Sequence, residues 1–255
     1  MSLTQFPADV AGLLDRLRDL LAARGDVVGI YLYGSLVTGD FSPATSDIDV
    51  VVLVAHEPGE AMTRELAQLH AALAATGGPV GQLHCLYVAT DAASDPDRLC
   101  TYWFGDRMTQ WQMKLLTQAE LATAGVAVYG PWPPPCVKPV PAAALHAAVH
   151  EEITGYWRSV SRARGRWLRD SWVDHALVML PRAEALLTAG ALITKGEAIS
   201  RLASFGVPAS LIQEIRSRRD GHPVPLSGPR RLFRALLARR IMRNGITRLS
   251  RLERP

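Results

Sequence analysis

The chain has 255 residues, of which 48% are apolar and 20% are charged, and its formal net charge is +4. A chain of this length can bury a sizeable core and corresponds to about two domains of ordinary size. No apolar run approaches the roughly 18 residues of a membrane span, and residues 1–10 lack the basic start and apolar stretch of a secretory signal. We therefore expect a cytoplasmic protein without a membrane partner.

Charge is distributed unevenly along the chain. Residues 1–130 contain 7 Lys or Arg and 15 Asp or Glu, whereas residues 131–255 contain 21 and 9. The acidic half is suited to holding metal ions and the basic half to facing phosphates, although basic surfaces also occur without any ligand.

Apolar periodicity predicts an α/β arrangement in the first half of the chain. Pro7 opens a helical pattern that ends near Gly25. The segments predicted after it are a strand over 27–33, a turn-rich loop, a strand over 48–54, a helix over 59–75, a strand over 80–89 and a helix over 109–123. This order predicts a small domain with a mixed sheet over residues 1–130.

Six prolines within residues 131–141 mark the predicted linker between two domains, because such a segment cannot continue a helix or a central strand. The pattern after it predicts helices over 142–168, 171–189, 194–205, 208–219 and 229–250. We therefore predict an all-α helical bundle domain over residues 142–255. Residues 228–255 carry nine Arg and one acidic residue on an amphipathic pattern. This pattern is typical of the solvated face of a packed helix, with nucleic-acid or partner binding as the alternative.

A Gly-Ser pair and two aspartates carry the candidate chemistry. Gly34 and Ser35 follow the first predicted strand, and Asp47 and Asp49 stand at the head of the second. Residues two apart in a strand point to one face, so we expect both carboxylates to face the Gly-Ser turn. Paired carboxylates suit one or two Mg²⁺ ions, which bind oxygen ligands and bridge nucleotide phosphates. Gly34 would let the backbone approach a phosphate, and the Ser35 hydroxyl could hold the terminal phosphates.

This arrangement resembles the nucleotidyltransferases of the DNA polymerase β superfamily. Further segments, within about residues 25–220, resemble the aminoglycoside adenylyltransferases that modify streptomycin and spectinomycin. The segments are YGSLVTGDFSPATSDIDVVVLV, LLTQAELATAGVAVYGP and LPRAEALLTAGALITKGEAISRL. The resemblance implies transfer of AMP from Mg²⁺-ATP, or of another nucleotide from its triphosphate, to a hydroxyl. It also implies that Ser46, Arg182 and Lys195 bind the leaving phosphates. Arg182 and Lys195 are thirteen residues apart, as the matching basic pair is in the family.

His84 stands in the third predicted strand, where the related enzymes use a Glu as general base. Three interpretations are open. The imidazole replaces the Glu as the base. Alternatively, the site binds nucleotide without efficient transfer, because His adds no negative charge to hold a metal. In the third interpretation His84 is structural, and Asp91 or Asp95 supplies the carboxylate.

Positions that the resemblance places near the acceptor also differ from the family. Arg107 stands where the family has an aromatic residue, and Trp172 replaces a family Asp, with Asp170 and Asp174 close enough in sequence to substitute for it. His175 matches a polar family position. A polycationic aminoglycoside requires carboxylates and aromatic faces. We therefore expect the acceptor to be a neutral or anionic hydroxylated small molecule rather than streptomycin or spectinomycin.

The leading hypothesis is thus a monomeric nucleotidyltransferase that acts on a small molecule and not on nucleic acid. One alternative is a nucleotide-binding protein with weakened or lost transferase activity. The other is a protein of the same fold that acts on a nucleic acid or a protein partner through its Arg-rich end, although that end lacks the aromatic residues typical of single-strand binding.

Overall fold

The computed structural model describes residues 3–252, so the predicted segments that reach residues 1–2 or 253–255 extend outside the described residues. The described chain divides into two compact units. The first comprises the residues up to Phe41 together with Ser46–Val140, and the second comprises Ser42–Thr45 together with the chain from Pro141 onward. The first unit is α/β and the second consists of helices and their connections.

Six strands form one mixed sheet within the described part of the first unit. They are β1 (Val27–Tyr33), β2 (Ile48–Val54), β3 (Leu83–Ala89), β4 (Leu99–Phe104), β5 (Arg107–Gln112) and β6 (Val126–Tyr129). The spatial order is β5-β4-β3-β2-β1-β6. Only β2 and β3 run parallel among these neighbours, and the other pairs are antiparallel. The predicted mixed sheet is therefore confirmed.

Helices cover both faces of this sheet through two apolar clusters. The helices of this unit are α1 (Ala8–Ala22), α2 (Glu60–Ala75) and α3 (Leu115–Ala124). One cluster joins the sheet to α1 and α2, and the other includes Leu121 of α3 and Val137 of the proline-rich segment. Because β2 is buried from both sides, its residues form a continuous apolar run after Asp49.

The prediction of a helix over 109–123 is wrong in its first part. Residues 107–112 form the edge strand β5, and α3 begins only at Leu115. A two-residue loop joins β4 to β5, and its Gly105 has a φ of +67°, a left-handed conformation that glycine adopts easily. Most side chains of β5 are exposed, so apolar alternation gives no signal there. β4 and the short strand β6 are not predicted from the sequence, and the third strand starts at Leu83 after a short 3₁₀ turn.

The second unit is helical, as predicted. Its helices are α4 (Ala142–Glu152), α5 (Arg158–Val160), α6 (Asp170–Ala189), α7 (Lys195–Arg201), α8 (Ala209–Arg219) and α9 (Gly228–Leu249). A π-helical turn over Ile153–Trp157 joins α4 to α5, so the predicted helix over 142–168 ends before its expected last residue. None of the described helices combines the length and apolar character needed to cross a membrane.

Several arginines of α9 are bonded within the helical unit. They contact Asp170 (Arg231 and Arg234), the Ser161 carbonyl (Arg239) and Glu184 (Arg248). The Arg234 side chain is only 5% exposed. These contacts favour the packed-helix interpretation of this segment over that of a nucleic-acid surface.

The short segment Ser42–Thr45 belongs to the helical unit, although the residues on both sides of it do not. The hydroxyls of Ser42 and Thr45 donate to the Arg219 carbonyl at 2.5 and 3.0 Å. A Cβ on Gly221 would lie 2.8 Å from the Ala44 Cβ, so glycine leaves the space in which this segment packs.

Candidate active site

Five residues, one from each of five neighbouring strands, lie in a single row across the sheet, because each is the register partner of the next. The row is Tyr33, Asp49, His84, Phe104 and Arg107. Residues directly opposite one another in neighbouring strands project from the same face. The sheet therefore brings together three residues that the sequence analysis selected on separate strands.

His84 lies close to both candidate carboxylates. Its Nε2 is 3.6 Å from the Asp47 Oδ1, and its Nδ1 is 3.8 Å from the Asp49 Oδ1. The His84 side chain is 12% exposed, whereas those of Asp47 and Asp49 are 45% and 25% exposed. The two carboxylates are thus more exposed to solvent than the imidazole that lies within 4 Å of both.

The turn that begins at Gly34 lies against Asp49. Gly34 has a φ of +74°, and a Cβ at this position would lie 2.7 Å from the Asp49 Oδ2. The turn is held by Thr38, whose N–H and hydroxyl donate to the Gly34 carbonyl at 3.2 and 3.1 Å. Ser35 is half-buried in this turn, and Ser46 is buried directly before Asp47. Glycine is therefore required here both by the backbone conformation and by the approach of the carboxylate.

Two tyrosines that the sequence analysis missed flank the carboxylates. Burial and then the Asp49 charge raise the pKa of Tyr33 well above its usual value. The same two causes, followed by the Asp47 charge, raise the pKa of Tyr102. Burial and the Asp49 charge also raise the pKa of the Cys85 thiol. These hydroxyls and this thiol therefore stay protonated at neutral pH, and the two hydroxyls can donate hydrogen bonds beside the carboxylates. Only the register of β4 places Tyr102 here, so no sequence motif could have found it.

The two carboxylates fit a magnesium ion that is shared with a nucleotide. Mg²⁺ is commonly held by one or two protein carboxylates, with phosphate oxygens and waters completing the octahedron. The described residues contain no group of three or more His, Cys, Asp or Glu side chains arranged to hold a metal ion by themselves. Asp47 and Asp49 would thus supply part of the coordination, and a bound triphosphate would have to supply more.

Neither Asp91 nor Asp95 can supply a third carboxylate to this site. Both follow the carboxyl end of β3, whereas His84 lies at its start. Five residues of strand separate His84 from Ala89 by about 17 Å, and Asp91 lies in the turn beyond Ala89. The Asp91 side chain is 71% exposed and lies 3.7 Å from Arg98. The geometry therefore excludes Asp91 and Asp95 as the source of a third carboxylate.

The predicted basic pair lies in the helical unit, on α6 and at the start of α7. The Arg182 Nε donates to the Ile193 carbonyl at 3.1 Å, two residues before Lys195. A capping box starts α7: the Thr194 hydroxyl accepts from the Glu197 N–H, and the Glu197 carboxylate accepts from the Thr194 N–H. The two cations are thus held at the same turn of the helical unit.

The candidate acceptor residues of the helical unit have structural partners. The guanidinium of Arg218 donates two hydrogen bonds to the Asp174 carboxylate, at 2.6 and 2.7 Å. Burial raises the pKa of Asp174 despite this arginine. Arg234 bonds Asp170, so neither aspartate is available to replace the family Asp and attract a cationic acceptor.

Trp172 and His175 belong to an aromatic cluster on the same helix. The Trp157 ring lies 5.7 Å from that of Trp172 and 5.5 Å from that of His175. The Arg166 guanidinium lies 5.1 Å from the centre of the Trp172 ring, a cation–π contact. A positively charged side chain therefore lies over the ring of the predicted acceptor residue Trp172.

Comparisons with known proteins agree with the fold. Residues 13–95 match the family model of the nucleotidyltransferase domain. The crystal structure of spectinomycin adenyltransferase AAD(9) from Enterococcus faecialis with ATP and spectinomycin is similar at a TM-score of 0.67 and 12% identity, over 91% of this chain and 98% of that chain. At this identity the similarity is one of fold. A toxin-antitoxin structure with AMP-PNP overlaps 47% of this chain and 74% of its own, at 22% identity and a TM-score of 0.29, which is too low to indicate a shared fold. No curated protein sequence matches the chain significantly.

Proposed function

We propose that the protein transfers AMP from Mg²⁺-ATP to a hydroxyl group of a small molecule that is not a typical aminoglycoside. The observation that carries this proposal is the joint placement of Gly34, Asp47, Asp49 and His84 at one end of the sheet. The match of residues 13–95 to the nucleotidyltransferase domain supports the reaction class. The choice of ATP draws support from a structure of similar fold that was crystallised with ATP.

In the proposed reaction the acceptor oxygen forms a bond to the α-phosphorus, and the bond from this phosphorus to the α,β-bridging oxygen breaks. Pyrophosphate leaves, and the hydroxyl proton passes to the His84 imidazole. Asp47 and Asp49 flank that imidazole and stabilise the positive charge it acquires. Mg²⁺ bound to the two aspartates would neutralise phosphate charge and orient the α-phosphate.

The remaining residues are proposed to position the triphosphate. Ser35 and Ser46 would bond phosphate oxygens beside the Gly34 turn, and Arg182 and Lys195 would pair with the leaving pyrophosphate. The hydrogen bond from Arg182 to the Ile193 carbonyl supports a joint role, because it keeps both cations at one turn of the helical unit.

We propose that aminoglycosides are not the acceptor because of the charges around the predicted acceptor residues of the helical unit. Asp170 and Asp174 are neutralised by Arg234 and Arg218, and Arg166 covers Trp172. A polycation would therefore meet arginines where an aminoglycoside site needs open carboxylates.

The test is to incubate the full-length protein with Mg²⁺, each of the four NTPs and a panel of hydroxylated acceptors, and to detect nucleotidylated products by mass. We expect ATP to give the product. Asp49→Asn should lower turnover by at least about 100-fold and weaken Mg²⁺-dependent ATP binding, since it removes a metal-binding charge worth several kcal/mol. Asp91→Asn is the matched control, because Asp91 lies at the opposite end of β3 and its loss should change neither quantity. Equal activity of Asp49→Asn and the unmodified protein would refute the proposal.

A second candidate function is nucleotide binding with weakened or lost transfer. The observation that favours it is that His84, a residue without negative charge, lies within 4 Å of both carboxylates at the position where the resemblance implies a third one. His84→Glu and His84→Ala separate the two functions. If His84 is the base, His84→Ala loses activity, and His84→Glu either loses activity or keeps it without raising it. If transfer is weak because this position lacks a Glu, His84→Glu raises turnover strongly while ATP binding stays constant.

A further inference from the structure

The outer surface of α9 carries exposed apolar side chains followed by arginines. Leu232, Phe233 and Leu236 are 54%, 70% and 58% exposed, which makes them the three most exposed large apolar side chains among the described residues. Arg240 and Arg243 follow along the helix and are also exposed. Because each residue of an α-helix is rotated by about 100° from the one before it, these five residues fall within about 100° of the helix circumference. We call them the outer stripe.

The opposite side of α9 is packed inside the helical unit. Ala238, Gly245 and Leu249 are buried there, about 180° around the helix from the outer stripe. A Cβ on Gly245 would lie 2.7 Å from the Leu180 Cδ1, so α9 packs closely against α6. The apolar side chains of the outer stripe are therefore not part of the core of this unit. Adjoining apolar side chains that stay this exposed mark a place where another molecule binds, because leaving them in water is unfavourable.

The surroundings of the outer stripe are basic. Helix α9 contains seven Arg and no Asp or Glu. Arg239, one turn before Arg243, donates to the carbonyls of Ser161 and Arg162 at 2.7 and 3.3 Å. These bonds hold the segment with the exposed Arg162 and Arg164 beside the stripe. A molecule that covers the stripe must therefore combine apolar groups with negative charge.

Three other occupants match this combination less well. A second copy of the chain would bring the arginines of one α9 against those of the other. A helix in a membrane interface buries a long apolar face and keeps its basic residues on the polar face, whereas the apolar part of the stripe spans only about 6 Å and Arg240 and Arg243 project from the same side. A nucleic acid would pair its phosphates with the arginines, but Leu232 and Leu236 offer its bases no ring for stacking. A protein segment can supply both apolar and acidic side chains.

We propose that the outer stripe of α9 binds an acidic amphipathic helix of another protein. The apolar residues of the partner pack on Leu232, Phe233 and Leu236, with the i and i+4 spacing by which helices are recognised. Its Asp or Glu residues lie about two turns further along the stripe and pair with Arg240 and Arg243. The stripe is about 16 Å long, so a partner helix of about 11 residues covers it. This inference uses none of the candidate active-site residues and does not depend on the proposed transfer reaction.

The first experiment measures peptide binding without ATP. The full-length protein is titrated, by fluorescence anisotropy, with two synthetic helical peptides of about 18 residues. One carries Leu on one face of its first two turns and Glu on the same face of the next two, and the other has this order reversed, so that a parallel and an antiparallel arrangement are both tested. The control peptides have Lys in place of every Glu, or the same composition with Leu and Glu interleaved.

We expect one of the two acidic peptides to bind at least about 10-fold more tightly than the controls, and more weakly as the salt concentration rises. Equal affinity for the acidic and the charge-reversed peptides, or no binding of either acidic peptide, would overturn the proposal.

The second experiment changes the stripe. Phe233→Ser should weaken binding of the preferred acidic peptide by about 10-fold and leave the urea denaturation midpoint unchanged, since this side chain is exposed. Leu20→Ser is the matched control, because Leu20 is 44% exposed on α1 of the other unit. The double variant Arg240→Glu, Arg243→Glu should bind the acidic peptide more weakly and the charge-reversed peptide more tightly than the unmodified protein does, a gain that misfolding cannot produce. Equal losses in Phe233→Ser and Leu20→Ser, or no gain for the charge-reversed peptide, would contradict the proposal.

A third experiment tests the other occupants directly. The protein and Phe233→Ser are compared for binding to phosphatidylcholine vesicles that contain phosphatidylserine, for binding to a single-stranded DNA oligonucleotide, and for self-association by analytical ultracentrifugation. We expect Phe233→Ser to change none of these three properties. Vesicle or DNA binding that is tighter than peptide binding and is lost in Phe233→Ser, or a dimer that this variant dissociates, would assign the stripe to that occupant and refute the proposal.

Discussion

Two glycines of one loop allow the effect of backbone strain to be separated from the effect on the catalytic carboxylate. Gly34 and Gly39 have φ values of +74° and +73°, so a side chain at either position imposes the same left-handed conformation. That conformation costs a non-glycine residue roughly 1–2 kcal/mol. Only Gly34 also faces a carboxylate: its added Cβ would lie 2.7 Å from the Asp49 Oδ2, whereas nothing lies within 4 Å of a Cβ on Gly39.

We therefore expect Gly34→Ala and Gly39→Ala to lose similar stability and to differ in function. The Asp49 carboxylate must move by roughly 0.5–1 Å to restore ordinary contact with the new methyl group. A displacement of this size in a positioned catalytic group costs up to about 100-fold in turnover. Gly39→Ala should lose about 1–2 kcal/mol of unfolding free energy and keep its turnover.

The measurements are urea denaturation for stability and Mg²⁺-dependent ATP binding and turnover for function. Both variants should be assayed well below their denaturation midpoints, so that unfolding does not mimic inactivity. If Gly34→Ala binds ATP and turns over as well as Gly39→Ala, the packing of Gly34 against Asp49 has no functional role and the reasoning is refuted.

Two further predictions concern the stability of each unit. Burial lowers the pKa of His70 to about 3. Below about pH 6.5 the unfolded chain therefore binds a proton that the folded protein does not bind. The free energy of unfolding then falls as the pH is lowered from about 6.5 toward 3. At pH 5 the loss of unfolding free energy is about 2 kcal/mol. His70→Phe removes the titrating group together with its hydrogen bond to the Tyr87 hydroxyl, so its stability in urea denaturation should differ correspondingly less between pH 7 and pH 5. An identical pH dependence in the variant and the unmodified protein would contradict this assignment. Thr194→Ala should cost about 1 kcal/mol of unfolding free energy, because it leaves the Glu197 N–H without its capping acceptor, and no change in the denaturation midpoint would show that the capping box is unimportant.

The parts of the fold that the sequence predicted are those with strong local signals. β1 and β2 are found at their predicted bounds, because each is a short apolar run between turn-forming segments. β5 was mistaken for part of a helix, since an exposed edge strand has no apolar face to bury and its alternation is lost. The predicted third strand began too early because Val80 is buried, as a strand residue would be, but lies in a 3₁₀ turn.

In the candidate site, too, local signals were predicted from the sequence and long-range contacts were not. The positions of Asp47 and Asp49 relative to Gly34 follow from short-range spacing, and the structure places them together. The pairing of Asp174 with Arg218 joins residues far apart in the sequence, so spacing alone could not show that this carboxylate is neutralised. Tyr102 was missed for the same reason, since it reaches the carboxylates only through the pairing of β4 with β3.

The assignment of Ser42–Thr45 to the helical unit has a consequence for how the protein is synthesised. The segment leaves the ribosome before any part of the chain from Pro141 onward, yet its hydroxyls bond the Arg219 carbonyl at the end of α8. Domains generally fold as the chain emerges, from the N-terminus onward. The hydrogen bonds that hold Ser42 and Thr45, in the loop between Ser35 and Asp47, can therefore form only after α8 has been made. A nascent chain that stops before α8 would therefore carry Gly34 and both aspartates, but the loop that connects them would lack these two hydrogen bonds.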